Sequence, residues 1–282
     1  MILVTGATGT IGSSTVKALK AKGARFKVGV RSPEKAKGLG VETVLFDWDK
    51  PETFGPALQG VEKVFLLTPI SENQDKQAAS LVDAAKKAGV KHIVKLSVTG
   101  VDAEPGIFFG RLHKAAEQAI KDSGIAWTMV RPTFFTENFI NYYGVDPKKD
   151  STVYLPHGNA KVVWVDGRDV GEVAAQVLTT PGHEGKAYDL TGPEALSDAE
   201  VVDILSKAFG HKYTYVDVPE EAANKAMTDM GMPKWMVGGM MELHYIIKAG
   251  WSGTPATGVK DVLGRQPRTV KDFATDFAAG KR

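Results

Sequence analysis

The chain lacks cysteine entirely, although it is 282 residues long. This absence excludes disulfide bonds, thiolate catalysis and cysteine-ligated metal sites. Long hydrophobic runs are also missing, since no apolar stretch approaches the roughly 18 residues that a membrane span requires. The N-terminus does not show the basic, apolar and small-residue order of a signal peptide. Together these absences predict a cytoplasmic protein with no membrane partner.

A charge excess of one sign is equally absent. The sequence has 35 basic and 33 acidic residues, so its formal net charge is only +2. Nucleic-acid-binding proteins normally show a strong basic excess or stripe, so no nucleic-acid partner is expected. The six histidines have no metal-ligand spacing, and the sequence contains no GxSxG, HExxH or P-loop motif. We therefore predict no metal.

Short apolar runs alternate with helical stretches over the first 130 residues, beginning with MILVTG. The strands are continuously apolar and rich in β-branched residues, as in a parallel sheet covered on both faces. This order predicts an α/β fold with a doubly wound, Rossmann-type parallel sheet. After about residue 135 this alternation of strands and helices changes, which predicts a smaller C-terminal α+β lobe. We expect residues 1–150 to form the sheet domain, with part of the later chain returning to it, and residues 151–282 to form mainly the smaller lobe.

The strongest chemical motif is TGATGTIG at residues 5–12, which follows the first strand and opens a helix. Its three glycines permit a tight turn, close approach of the backbone to a pyrophosphate, and close packing of helix on strand. The start of the helix adds unpaired amides and a positive dipole end. The motif predicts dinucleotide binding by Gly6, Thr8, Gly9, Thr10, Ile11 and Gly12.

The end of the second strand distinguishes NADP from NAD. A carboxylate there would accept a hydrogen bond from the ribose 2′-hydroxyl of NAD, but this chain has Arg31, 19 residues beyond Gly12, with Lys35 one turn further. A guanidinium suits a 2′-phosphate, so we expect Arg31 and Lys35 to bind the cofactor and NADP(H) to be preferred over NAD(H). Later strands end in residues expected along the same cofactor, namely Asp47, Trp48, Leu67, Thr68, Pro69 and Ser97.

Three segments carry a family resemblance: TGATGTIG, residues 111–138 (RLHKAAEQAIKDSGIAWTMVRPTFFTEN) and VDGRDVGEVA at residues 165–174. The chain resembles short-chain dehydrogenase/reductases, and more closely their NmrA-like branch, over nearly its whole length. Within that branch it looks most like flavin-free NAD(P)H azoreductases, quinone oxidoreductases and triphenylmethane-dye reductases. The resemblance implies a Rossmann domain, a C-terminal substrate lobe and NAD(P)H as the direct hydride donor, with no flavin.

The main family uses a Tyr-x-x-x-Lys pair as its proton donor, and none of the seven tyrosines here has lysine four residues later. The helix that should carry the pair has His113 and Glu117 in those positions. Without a phenol of lowered pKa, ordinary alcohol–ketone chemistry is not expected. A quinone or azo bond instead delocalises the charge that hydride brings. His113 is the candidate proton donor or substrate orienter, with Glu117 as a weaker candidate.

Aromatic and thioether side chains characterise the expected substrate lobe. Six of the eight methionines lie between residues 227 and 241, and flexible thioethers with flat rings suit small planar aromatic substrates. The same residues would equally suit a packed helical core. The substrate candidates are Phe134, Phe135, Asn138, Tyr142, Met236 and Trp251.

Two functions remain compatible with the sequence. The first is an NADPH-dependent reductase of azo compounds or quinones. The second is a non-catalytic NADP(H)-sensing regulator that binds a partner protein, as the namesake of the family does. The sequence has no coiled-coil heptads, so a monomer and a homodimer are both compatible with it.

Overall fold

A computed structural model describes residues 1–281, and the side chains of Lys35 and Lys37 lie outside the described part. The strands are β1 (Ile2–Val4), β2 (Phe26–Val30), β3 (Glu42–Leu45), β4 (Lys63–Leu66), β5 (His92–Leu96), β6 (Ala126–Pro132), β7 (Ser151–Leu155), β8 (Lys161–Val162), β9 (Lys186–Leu190), β10 (Leu196–Ser197) and β11 (Tyr213–Asp217). The α-helices are α1 (Thr10–Ala21), α2 (Phe54–Ala57), α3 (Gln74–Lys87), α4 (Phe108–Asp122), α5 (Asn138–Asn141), α6 (Gly167–Thr179), α7 (Asp198–Phe209), α8 (Glu220–Asp229), α9 (Lys234–Lys248), α10 (Gly258–Leu263) and α11 (Val270–Ala278).

The chain packs as two compact units, and the first comprises Met1–Pro132, Arg168–Asp189 and Asp261–Leu263. Seven of the described strands form one sheet in the order β3-β2-β1-β4-β5-β6-β9. Every pairing from β3 to β6 is parallel. Since the chain winds outwards from β1 in both directions, the predicted doubly wound Rossmann sheet is confirmed.

Burial explains why the first unit's strands read as continuous apolar runs. Every residue of β1 and β2 is buried, because helices cover both faces of a parallel sheet. Leu3, Val64 and Ile93, from three neighbouring strands, share one core with Leu81 of α3 and Ile120 of α4. The carboxyl ends of these parallel strands meet at one edge, so the loops after β1, β2, β4 and β5 start side by side.

The second unit comprises residues 133–167, 190–260 and 264–281. Strands β7 and β11 pair in parallel, and β8 and β10 pair antiparallel. Phe139, Trp164, Leu205 and Phe273 lie in its buried core. The unit therefore has the α+β character predicted for the C-terminal lobe.

The limits of the units differ from the sequence-based boundary after residue 150. The first unit's opening segment ends at Pro132, because residues 133–167 contribute Phe139, Val153 and Trp164 to the second core. Most of α6 belongs to the first unit, where Gly171 approaches α1 closely. A Cβ added at Gly171 would lie 2.6 Å from the Cβ of Ser14, so glycine is required for this helix contact.

Candidate active site

The loop between β1 and α1 is a tight turn that depends on glycine. Gly6 has φ +64°, and the Gly9 amide donates to the Gly6 carbonyl over 3.1 Å. A Cβ at Gly12 would lie 2.0 Å from that carbonyl oxygen. The first turn of α1 contains no acidic residue, and its N-cap makes no side-chain hydrogen bond within the described structure. Its first amides are therefore available to an anion, and the turn fits a pyrophosphate.

The other motif residues divide by exposure. Thr8, Gly9 and Thr10 are exposed, whereas Ile11 is buried, with its side chain only 4% exposed. Ile11 therefore offers a ligand its backbone amide, while the threonines offer amides and hydroxyls. This division suits phosphate recognition mainly by backbone groups.

Arg31 directly follows β2 at the carboxyl edge of the sheet, and its side chain is exposed. It makes no side-chain hydrogen bond or ion pair with any residue that the structure describes. Lys35, the second predicted phosphate contact, has its side chain outside the described part. The guanidinium of Arg31 is therefore available to bind an anionic group such as a 2′-phosphate.

Asp47 and Trp48 lie just beyond β3. A side-chain oxygen of Asp47 accepts from the Asp49 amide over 3.1 Å. Trp48 is half-buried and packs edge-on against Phe46 and Phe54, with ring centroids 5.0 and 5.8 Å away. This packing holds the indole at the edge of the sheet. The role of Asp47 and Trp48 in cofactor binding stays a prediction.

Leu67, Thr68 and Pro69 follow β4, and Ser97 follows β5. The Leu67 amide donates to the Thr5 hydroxyl over 2.9 Å, which joins the ends of β1 and β4. A Cβ at Gly6 would lie 2.6 Å from Leu67, so the residue lines the glycine turn. Ser97 is 1% exposed and lies beside Glu117, so this predicted cofactor residue is placed deeper than the others.

Glu117 of α4 is engaged by Arg131 of β6. The guanidinium donates from Nε to Oε1 over 2.9 Å and from Nη2 to Oε2 over 2.6 Å, which is a bidentate ion pair. Burial works against the charge of Glu117, but Arg131 and Ser97 outweigh it and lower the pKa of the carboxyl below 4.5. Glu117 is therefore a buried, ion-paired carboxylate, and it is not hydrogen-bonded to His113.

His113 lies one turn earlier on α4, and its partner is a residue that the sequence analysis missed. Its Nδ1 is 3.2 Å from Nζ of Lys95, a fully buried lysine in the middle of β5. Burial lowers the pKa of Lys95 to about 7, although the charge of Glu117 raises it. Burial, followed by the charge of Lys95, lowers the pKa of His113 well below 6.5. His113 is therefore neutral at pH 7.

The predicted substrate residues lie in the second unit with varied exposure. Phe134 packs against Trp164 with centroids 6.0 Å apart and belongs to the edge of the core. Tyr142 and Trp251 are 73% and 69% exposed. The remaining candidates are each half-buried: Phe135, Asn138 and Met236. Their role in substrate binding stays a prediction.

A second polar cluster in the second unit was also missed by the sequence analysis. His157 Nδ1 lies 2.7 Å from Asp198 Oδ2, and its Nε2 lies 2.8 Å from His244 Nδ1. All three side chains are buried. Burial, then the neighbouring His157, lowers the pKa of His244 to about 4. The three residues are 41 and 46 positions apart, so no local pattern could have joined them.

No group of three or more histidine, aspartate or glutamate side chains is arranged to hold a metal ion within residues 1–281. None of the helices in that range has the length and apolar character needed to cross a membrane.

Comparison with known proteins gives a consistent result. The sequence profile of the NmrA-like family matches residues 1–250. The chain is 43% identical to an NAD(P)H azoreductase of Xenophilus azovorans over 282 residues, covering 99% of this chain and 98% of that protein.

Two solved structures are similar to this chain over nearly the full length of both. The triphenylmethane reductase of Citrobacter sp., complexed with NADP(H), has a TM-score of 0.83 and 27% identity, with 98% of this chain and 99% of that chain covered. The NADPH-dependent quinone oxidoreductase QOR2 of Escherichia coli, complexed with NADPH, has a TM-score of 0.85 and 26% identity, with the same coverage of both chains.

Proposed function

The chain belongs to the NmrA-like family, as an NAD(P)H-dependent oxidoreductase of the azoreductase and quinone-reductase type, and from this premise we propose that it reduces conjugated aromatic acceptors with hydride from NADPH and without a flavin. An azo compound is the first choice of acceptor and a quinone the second. The likeness to the azoreductase over nearly the whole of both chains supports this order.

The observation that carries the proposal is a glycine turn combined with an arginine whose side chain has no partner among the described residues. The turn of Gly6, Gly9 and Gly12 would hold the pyrophosphate, and Arg31 would hold the 2′-phosphate, because a guanidinium matches a phosphate with two parallel hydrogen bonds. Bound NADPH supplies hydride. The complexes of two structural relatives with NADP(H) and NADPH support the same cofactor here.

The choice of acceptor follows from the groups on α4. An alcohol dehydrogenase of the main short-chain dehydrogenase/reductase family needs a phenol–ammonium acid, whereas α4 has a neutral histidine and an ion-paired glutamate. Azo and quinone acceptors spread the incoming negative charge over a conjugated system, so a weaker proton donor suffices. Two such reductions split an azo bond into two amines through a hydrazo intermediate.

Replacement of Arg31 by alanine tests the cofactor assignment. Loss of one charge-assisted contact costs about 1.5–3 kcal/mol, so KM for NADPH should rise about 10- to 100-fold, while KM for NADH hardly changes. Arg25 is the matched control, since it is exposed and precedes β2 at the opposite end of that strand. An equal effect of Arg31→Ala on both cofactors would refute recognition of the 2′-phosphate.

A further inference from the structure

Lys95 is the only charged residue in residues 93–96 of β5, and the other three residues of this segment are apolar. Its ammonium is 0% exposed and donates to the carbonyl oxygen of Leu96. It also lies 3.2 Å from Nδ1 of His113. A buried lysine normally has a carboxylate partner, yet here the nearby carboxylate, Glu117, is bound by Arg131.

We propose that His113 donates its Nε2 proton to the reduced acceptor while Lys95 replaces that proton at Nδ1, so that the pair forms a proton relay through a neutral imidazole. The proposal rests on the proposed function, because it concerns the proton that accompanies hydride. In this proposal His113 contacts the acceptor, and Lys95 acts on the acceptor only through His113, to which it gives a proton.

The hydrogen bond fixes the tautomer of His113. An ammonium has only donors, so Nδ1 of His113 accepts from Lys95 and the ring proton must sit on Nε2. Within the described residues Nε2 has no hydrogen-bond partner. The structure therefore presents an N–H donor that is oriented from behind, in the way that a second group orients many reactive histidines.

Proton delivery then needs no charged histidine. The Nε2–H bond breaks as a new N–H or O–H bond forms on the reduced acceptor, and a proton from Lys95 Nζ moves to Nδ1. The ring ends neutral in its other tautomer, and Lys95 ends as an amine that accepts from Nδ1–H. After product leaves, the reverse transfer takes one proton from water at Nε2, which restores the starting state.

The electrostatics of the pair agree with this route. With its pKa lowered to about 7, Lys95 can both hold and release a proton at neutral pH, whereas His113 resists becoming a cation. The titratable group that acts on Lys95 from a neighbouring element is Glu117 of α4, and Arg131 of β6 keeps that group charged. Glu117 thus prevents burial from lowering the pKa of Lys95 further.

The test combines direct titration with variants. Nitrogen-15 NMR of the protein without acceptor measures the tautomer of His113 and the pKa of Lys95. Steady-state kinetics over pH use Lys95→Met, which removes proton and hydrogen bond, and Lys95→Arg, which keeps a donor but does not release a proton. Lys27→Met is the control, because Lys27 is also buried in the sheet and donates to a carbonyl, that of Gln59 over 2.9 Å.

We expect wild-type kcat to fall as the pH rises through about 7, and Lys95→Met to lose this limb with a drop in kcat of about 100-fold at pH 7. Lys27→Met should keep the limb, and Lys95→Arg should not restore kcat. Full rescue by Lys95→Arg would overturn the proposal, because positioning alone would then suffice.

The NMR arm separates this proposal from the proposed function. A proton on Nε2 of His113, with Lys95 titrating near 7, supports the arrangement that the relay requires, and this result does not depend on which acceptor is reduced. A proton on Nδ1, or a Lys95 pKa near its ordinary 10.5, overturns the relay even if the enzyme is an active reductase.

Discussion

Replacing Glu117 by glutamine separates a structural carboxylate from a reacting one. In the wild type, Glu117 is 2% exposed and Arg131 is 11% exposed, and two hydrogen bonds join them. Glutamine keeps the shape but removes the charge, which leaves the guanidinium with Asp102 alone, a residue 69% exposed. Breaking a buried pair in this way costs about 3–5 kcal/mol, and the lower end applies because Asp102 still contributes.

Urea unfolding at neutral pH measures this cost as a lower midpoint for Glu117→Gln. Asp203→Asn serves as the control, since Asp203 and its partner Lys207 are 60% and 76% exposed and their ion pair is solvated. The control midpoint should stay at the wild-type value. A Glu117→Gln variant of normal stability but with kcat reduced about 100-fold would refute the structural reading and make Glu117 a reacting group.

The same pair predicts a pH dependence. Because the pKa of Glu117 is lowered in the folded chain, its stabilisation is fully present above about 4.5 and is lost as the pH falls through the folded value. The stability difference between wild type and Glu117→Gln should therefore shrink in acid. A difference that stays constant from neutral pH into acid would contradict the lowered pKa.

Three further predictions follow from the site and the core. Gly12→Ala should abolish NADP(H) binding in calorimetry, because its Cβ would meet the Gly6 carbonyl, whereas Gly55→Ala, which has open space around it, should bind normally. His113→Ala should lower kcat about 100-fold with little change in KM; a change mainly in KM would make it a substrate orienter. The pKa of buried His244 is about 4 in the folded chain, so the unfolded chain is protonated at this residue first as the pH falls. The free energy of unfolding should therefore decrease by about 1.4 kcal/mol per pH unit from pH 6 to pH 4, and His244→Gln should reduce this slope in urea titrations.

Local patterns were sufficient to predict the sheet and the glycine turn. The alternation of apolar strands with helices predicted the doubly wound order, and the strand–glycine–helix sequence predicted the turn at Gly6 and Gly12. The physical reason is that the strands and the turn each depend on a short segment of sequence. A buried strand requires a run of apolar residues, and a turn with no room for a Cβ atom requires glycine.

The Lys95–His113 contact could not be predicted in the same way. The residues are 18 positions apart on a strand and a helix, and the pattern of β5 does not tell whether a lysine is buried or extends to the surface. The buried chain of His157, Asp198 and His244 was missed for the same reason. Polar contacts between residues that are distant in sequence depend on how helices and strands pack together. A short segment of sequence carries no information about this packing.

The most direct test of the proposed reductase is anaerobic oxidation of NADPH by the purified protein, measured as the loss of the near-ultraviolet absorbance of NADPH. The acceptors are an azo dye, a quinone and a triphenylmethane dye, each in a separate reaction. The account predicts a colourless protein that consumes NADPH faster than NADH and decolourises the azo dye with two NADPH oxidised per bond split into amines. A yellow protein with a flavin spectrum would contradict direct hydride transfer. Tight NADP(H) binding without turnover of any acceptor would contradict the enzyme and favour an NADP(H)-sensing regulator.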